Sequence, residues 1–311
     1  MNFKKQPFDF MDMLRFKKLV PTRRQMLAQG DNKPLPQEYR TNTLAKKLHP
    51  GYMQVELVAA RPLTPTIREL TFKRVDADAF PFFRAGQYAS IQIKIGDSLV
   101  SRPYSIVSTP EQALENKLVL AVENAGFVSG YLNEKANVGD RFVMTEPSGE
   151  FHYETLRDSK QIVCIAGGSG ITPFMSMAGS LADGDESYSM LLFYGARTAA
   201  QLAYKAELDA LAQRCKDFKV VYVLSDEEQP GCEKGFVSAE LMKKYTSLTD
   251  CTFFLCGPAA MYDFVAKELA PLNLPKKAVH RDAACCGDLP MEQAGEFKLT
   301  VHMRDDVYVI P

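Results

Sequence analysis

No stretch of the 311-residue chain approaches the roughly 18 consecutive apolar residues of a membrane-spanning helix. The N-terminus also lacks the apolar core and small-residue cleavage site of a secretory signal, so a cytoplasmic protein is expected. Cysteine is unpatterned: seven residues, an odd number without framework spacing, fit a reducing compartment in which thiols pack as small apolar groups. There is no internal repeat and no low-complexity segment. An excess of charge is missing as well, with 37 Lys and Arg against 38 Asp and Glu, and no nucleic-acid partner is expected.

What is present is ordinary globular composition, 46% hydrophobic and 24% charged, at a length that predicts two compact units plus extensions. The near-zero net charge hides an asymmetry. Residues 1–50 hold eleven Lys and Arg against four Asp and Glu, a net of +7, which leaves the body at −8. A basic leader is most simply a solvated tail; contact with an acidic partner or an anionic membrane surface is the sharper alternative. Helix-like stretches at Phe10 to Val20 and Arg23 to Ala28 are separated by Pro21. Phe10, Met11, Leu14 and Leu19 roughly share a face opposite Arg15, Lys17 and Lys18, which fits docking on the protein's own surface or an interfacial helix.

Four segments are expected: a basic extension over 1–50, an all-β unit over 51–153, an α/β unit over 154–282, and a linker with a β-hairpin over 283–311. Short alternating runs, Val55 to Ala59, Ile67 to Lys73, Tyr88 to Ile95, Lys117 to Val122 and Arg141 to Thr145, punctuated by Gly and Pro, predict an antiparallel barrel. After Tyr153 the period changes. Apolar strands at Ile162 to Ala166, Met190 to Tyr194, Val220 to Leu224 and Phe253 to Cys256 alternate with helices near Phe174 to Leu181, Gln201 to Arg214, Ala239 to Tyr245 and Ala259 to Leu269, the pattern of a parallel sheet with crossover helices. Thr198 with Gln201 reads as a capping box and Ser238 as an N-cap, while Pro173 and Pro258 suit first helical turns.

Three motifs carry chemistry. Ala166-Gly167-Gly168-Ser169-Gly170-Ile171-Thr172-Pro173 stands between an apolar strand and a helix. There glycines let a pyrophosphate approach free N–H groups at the positive end of a helix. The spacing is not G-x-G-x-x-G, and an ordinary tight turn is the plain alternative. Arg102-Pro103-Tyr104-Ser105 sets a guanidinium, an aromatic ring and a hydroxyl together near a strand end, suited to the phosphate, ring face and reactive edge of a flavin nucleotide. Gly126-Phe127-Val128-Ser129 precedes a short helix over Gly130 to Lys135, a second phosphate-binding helix start with Ser129 as its N-cap.

The ordered set RPYS, G-x-x-S, GGSGITP, Tyr194-Gly195-Ala196-Arg197 and Cys256-Gly257-Pro258 resembles the ferredoxin-NADP reductase family over roughly Gln54 to Asp282. The resemblance implies an α+β multidomain fold, with an antiparallel six-stranded β-barrel flavin domain followed by an α/β parallel-sheet nucleotide-binding domain. It implies FAD and NAD(P)H as cofactors, with hydride passing from nicotinamide to flavin and electrons leaving singly to an iron-sulfur or other protein acceptor. By the same resemblance Arg102, Pro103, Tyr104 and Ser105 contact the flavin, and Gly126, Val128 and Ser129 hold its pyrophosphate. Gly167, Gly168, Gly170, Thr172, Pro173, Gly195 and Arg197 hold the nicotinamide dinucleotide, and Cys256, Gly257 and Pro258 flank the nicotinamide. Ser105 and Cys256 are the expected catalytic side chains, Cys256 having inert core thiol as its alternative.

Arg197 suits a 2′-phosphate, yet Asp226, Glu227 and Glu228 repel one, so the choice between NADH and NADPH stays open with a lean to NADH. Family members with an appended plant-type [2Fe-2S] domain open it with a hairpin like Phe297 to Val301, Met303 to Asp306 and Val307 to Pro311. No C-x4-C-x2-C run exists, so no such cluster is expected to be ligated by this chain, and the adjacent Cys285 and Cys286 read as linker thiols. A fused ferredoxin domain or a separate acceptor protein is the expected partner. The competing reading is a non-autonomous flavin-binding electron-transfer subunit of a larger complex.

Overall fold

The computed structural model describes residues 10–30, 39–96, 98–282, 299–303 and 306–310. It divides into two units, residues 1–45 and 46–311. The first carries helix α1 (Phe10–Ala28) and most of α2 (Arg40–Leu48). Pro21 lies inside α1 and does not break it, contrary to the expectation from sequence. A proline removes one i→i−4 bond, and turns on both sides can carry the helix through. Leu14, Phe16, Leu19, Met26 and Leu27 of α1 are exposed.

In the second unit β1 (Tyr52–Pro62), β2 (Ile67–Arg74), β3 (Tyr88–Ile95), β4 (Ser98–Ser105), β5 (Leu118–Glu123) and β6 (Arg141–Thr145) form an antiparallel sheet in the order β4-β3-β6-β1-β2-β5. A bridge between Ile106 and Leu120 joins its ends and closes the barrel. Helix α3 (Pro110–Leu114) lies between β4 and β5, and α4 (Phe127–Glu134) between β5 and β6. Met53, Val55 and Leu57 alternate inward on β1, joined in the barrel core by Phe72, Ile91 and Met144, all fully buried. The residues of β5 from Leu118 to Val122 are all buried, because Val119 and Ala121 on the outer face pack against the second domain. Strand β4 is not predicted by the hydrophobic pattern. Its sequence SLVSRPYS is mostly exposed and holds a proline, so it shows no apolar alternation.

The second domain comprises β7 (Gln161–Gly167), α5 (Thr172–Asp183), β8 (Ser189–Ala196), α6 (Lys205–Arg214), β9 (Phe218–Leu224), β10 (Cys232–Lys234), α7 (Ala239–Lys243), β11 (Cys251–Cys256), α8 (Ala259–Leu269) and β12 (Val279–Arg281). Its strands are parallel, in the order β10-β9-β8-β7-β11-β12. Every residue of α5 from Thr172 to Leu181 is buried, as befits a helix lodged between sheet and barrel, and Ser176 Oγ donates to the barrel carbonyl of Ser108 at 2.7 Å.

One helix start and two capping details differ from expectation, while α8 begins at Ala259 as expected. Helix α6 begins at Lys205 rather than Gln201, because a 3-10 turn over Ala199–Gln201 stops at Leu202 and the N-cap Tyr204, with a left-handed φ of 59°, separates it from the helix. The Thr198 box is not made: Gln201 Oε1 accepts from the Arg197 N–H instead. Pro258 is the N-cap of α8, with ψ at 155°, one residue before the first helical turn. Ser238 does cap α7, accepting from the Leu241 N–H at 3.1 Å. Finally β13 (Leu299–Met303) and β14 (Asp306–Ile310) pair as an antiparallel hairpin. Cys285 and Cys286 lie outside the described residues.

Candidate cofactor cleft

The strand order reverses direction between β7 and β11, so the carboxyl ends of these neighbours open a crevice, the place where parallel sheets bind ligands. The barrel supplies the facing wall from β4, β5 and α4. The resulting cleft of about 1270 Å³ exceeds the roughly 300–1,000 Å³ of a single small-molecule pocket. It is lined by every residue expected to bind cofactor except Pro173 and Cys256, which are buried behind it.

On the barrel side, β4 delivers Arg102 to Ser105. Arg102 is exposed, and its Nη1 donates to Ser101 O at 2.8 Å, one of five donors on the guanidinium fork. Tyr104 is half-buried, and that burial pushes its hydroxyl up to about 12 against the pull of the Arg102 charge. Ser105 is 7% exposed and donates from Oγ to Asp282 Oδ2 at 3.0 Å. Helix α4 starts earlier than expected: Gly126 is its N-cap and Ser129 its third residue. Ser129 Oγ accepts from the N–H groups of Ala125 and Gly126 at 3.1 and 2.8 Å, and donates to Gly126 O. The hydroxyl thus holds the turn, leaving the helix's unpaired backbone N–H groups to meet an anion.

On the sheet side the glycines divide their work. Gly168 has φ of +56°, and a Cβ added there would find nothing within 4 Å, so this is an open left-handed turn that favours glycine. Gly170 is held by packing, since a Cβ there would stand 2.1 Å from Cys256 O. Tyr194 donates to Gly168 O at 3.1 Å and accepts from the Ala203 N–H, while Thr172 Oγ1 donates to Ser169 O. The turn is pinned before any ligand arrives. The open cradle, the backbone donors, the Arg102 fork and the Tyr104 ring fit a flavin dinucleotide and a nicotinamide dinucleotide.

Cys256 is fully buried at the end of β11, with Sγ 3.5 Å from Asp282 Oδ2. Asp282, 3% exposed, therefore joins Ser105 and Cys256 beneath the cleft. At the rim Arg197 Nε donates to Asp226 Oδ2 at 3.0 Å. The Ser225 hydroxyl, with help from Arg197, holds the Asp226 carboxyl below its usual range. Glu227 is occupied too, accepting from the Ala199 N–H. Sequence reasoning missed Asp282, Glu123, Phe236 and Met261; the last three line the cleft. Glu123 ends the apolar run of β5, the one signal that marked it, whereas Asp282 follows only the three-residue β12, Val-His-Arg, which gives no signal. Among the described residues no three His, Cys, Asp or Glu side chains gather as a metal site, and no helix is long and apolar enough to cross a membrane.

Residues 54–153 match the family model described as an oxidoreductase FAD-binding domain, and residues 164–267 the oxidoreductase NAD-binding domain. The chain is 31% identical over 239 residues to the reductase component of propane 2-monooxygenase of Mycolicibacterium smegmatis, covering 74% of this chain and 67% of that one. It is 32% identical over 237 residues to ferredoxin–NADP reductase B of Sorangium cellulosum, covering 73% of this chain and 95% of the relative. With the electron transfer component of anthranilate 1,2-dioxygenase of Acinetobacter baylyi it shares 32% over 184 residues, 59% of this chain and 52% of that one. Among solved structures, a ferredoxin NADP+ reductase from Neisseria gonorrhoeae with bound FAD and NADP has the same fold, with TM-score 0.64 at 21% identity over 75% of this chain and 98% of that one.

Proposed function

We propose that this chain, which belongs to the ferredoxin-NADP reductase-type family of FAD- and NAD-binding oxidoreductases, holds both cofactors in the one cleft between barrel and parallel sheet. It is an NAD(P)H-dependent flavoprotein reductase. The observation that carries the site reading is the convergence of two helix starts, α4 and the turn before α5, with Arg102, Tyr104 and Ser105 on a single cleft.

In this reading residues 51–153 hold FAD and residues 154–282 hold the nicotinamide dinucleotide. When bound there, the flavin would supply the hydride-accepting and one-electron-releasing chemistry. Arg102 and the N–H groups of α4 neutralise flavin phosphates, while Gly126 and Val128 shape that turn and Ser129 ties it. Pro103 and Tyr104 wall the ring. Ser105, its hydroxyl oriented by Asp282, holds the reactive edge. Gly167, Gly168, Gly170 and Thr172 cradle the dinucleotide, Pro173 starts the helix behind them, and Gly195 and Arg197 border its adenosine half. Gly257 and Pro258 flank the nicotinamide, and buried Cys256 backs Asp282 there. The protein's work is to position two rings rather than to transfer protons.

The Arg197–Asp226 pair supports NADH, because the guanidinium is already matched by a carboxylate where a 2′-phosphate would need it. The kinship with oxygenase reductase components supports a one-electron acceptor protein, iron-sulfur in type. The basic N-terminal extension, with Leu14, Phe16 and Leu19 exposed, supports contact with a membrane surface. Purified protein should be yellow and release FAD on acid treatment, and should pass electrons from NAD(P)H to a dye. A pure FMN peak on chromatography overturns the assignment of two phosphate sites. A flavin-bearing chain inert with every dye overturns its autonomy.

A further inference from the structure

Glu123 ends β5 and lines the cleft, half-buried, three residues before the N-cap of α4. Its Oε2 accepts a 2.6 Å hydrogen bond from Ser169 Oγ, inside the nucleotide turn of the other domain. A carboxylate thus stands against the Gly167–Gly170 turn, where backbone N–H groups await phosphate, in the cleft that the start of α4 also lines. Nothing in the fold demands it. Glu123 pairs with Ile67 through backbone, and a neutral side chain would satisfy Ser169 equally well.

We propose that Glu123 is a built-in brake on dinucleotide binding, opposing the pyrophosphate of the nicotinamide cofactor by its charge while holding Ser169 in place. The idea rests on the reading that the Gly167–Gly170 turn cradles that cofactor. A fixed like charge weakens substrate and transition state alike, so it raises KM without lowering kcat. It also speeds departure of the oxidised cofactor, which matters where product release limits turnover.

The test compares Glu123→Gln, which keeps an acceptor for Ser169 and removes the charge, with Ser169→Ala, which keeps the charge and removes the bond. ADP-ribose, a non-reducible probe, is titrated calorimetrically into the flavin-loaded protein, and flavin reduction is followed at saturating NADH. Glu123→Gln should bind ADP-ribose on the order of tenfold tighter, with the gain shrinking at high salt and the saturating rate unchanged. Ser169→Ala should bind no tighter than wild type. Equal or weaker binding by Glu123→Gln overturns the proposal, as does a tighter Ser169→Ala, which would make the bond rather than the charge the brake. A wild-type protein that carries flavin but takes up no ADP-ribose overturns the reading of the turn, and this proposal with it.

Discussion

The two halves of the cleft are built by different means. The barrel half sets exposed side chains beside a helix start: Arg102 stands at the surface and Phe127, the first residue of α4, is 71% exposed. The parallel-sheet half is backbone shape, a turn wedged against the end of β11 so tightly that Gly170 has no room for one more carbon. Exposed side chains can therefore be removed at the expense of ligand alone. A change in the wedged turn is felt by the fold first.

The sharpest way to break this contrast is Gly170→Ala. Its Cβ would meet Cys256 O at 2.1 Å, so overpacking should cost about 3 kcal/mol or more in a denaturant midpoint. Gly168→Ala, in open space at φ of +56°, should cost about 1 kcal/mol from backbone strain alone. Similar losses at both positions would dissolve the distinction between a packed and an open glycine. Arg102→Ala tests the other half: loss of a charge-assisted contact worth about 1.5–3 kcal/mol should strip flavin on dialysis. The apoprotein midpoint should not move. Full flavin occupancy would show that the pyrophosphate lies elsewhere.

Cys256→Ala probes the seam between the halves. Removing a fully buried thiol should lower stability by roughly 1–2 kcal/mol and, through Asp282, slow flavin reduction at saturating nicotinamide. An unchanged rate with a lowered midpoint assigns Cys256 to packing. The smallest effect is expected at the rim, where Asp226→Asn frees Arg197 and should raise kcat/KM for NADPH relative to NADH by roughly tenfold. No change in that ratio removes the pair from cofactor choice.

Much of this was legible in residue order. Alternation in β1, the apolar runs of β7 and β11, and glycines between strand and helix each leave a local trace, because burial on one face or two imposes a period and a phosphate cradle needs small residues. Five ordered motifs then identified the family. What left no trace was anything made by residues distant in the chain. Ser105 meets Asp282 across 177 positions, and Glu123 meets Ser169 across 46. Strand β4 hid because one exposed face and a proline erased its alternation. The edge strands β10 and β12, three residues each, are too short to show a period at all. The start of α6 was set by the left-handed Tyr204, whose ring packs in the core and overrides local preference. The sequence by itself determined the two domain types, the order of their motifs and the cofactor class, since these follow from patterning and from residue chemistry. Only the tertiary structure decided which carboxylates face the cleft, because a hydrogen bond between remote strand ends has no period and no motif.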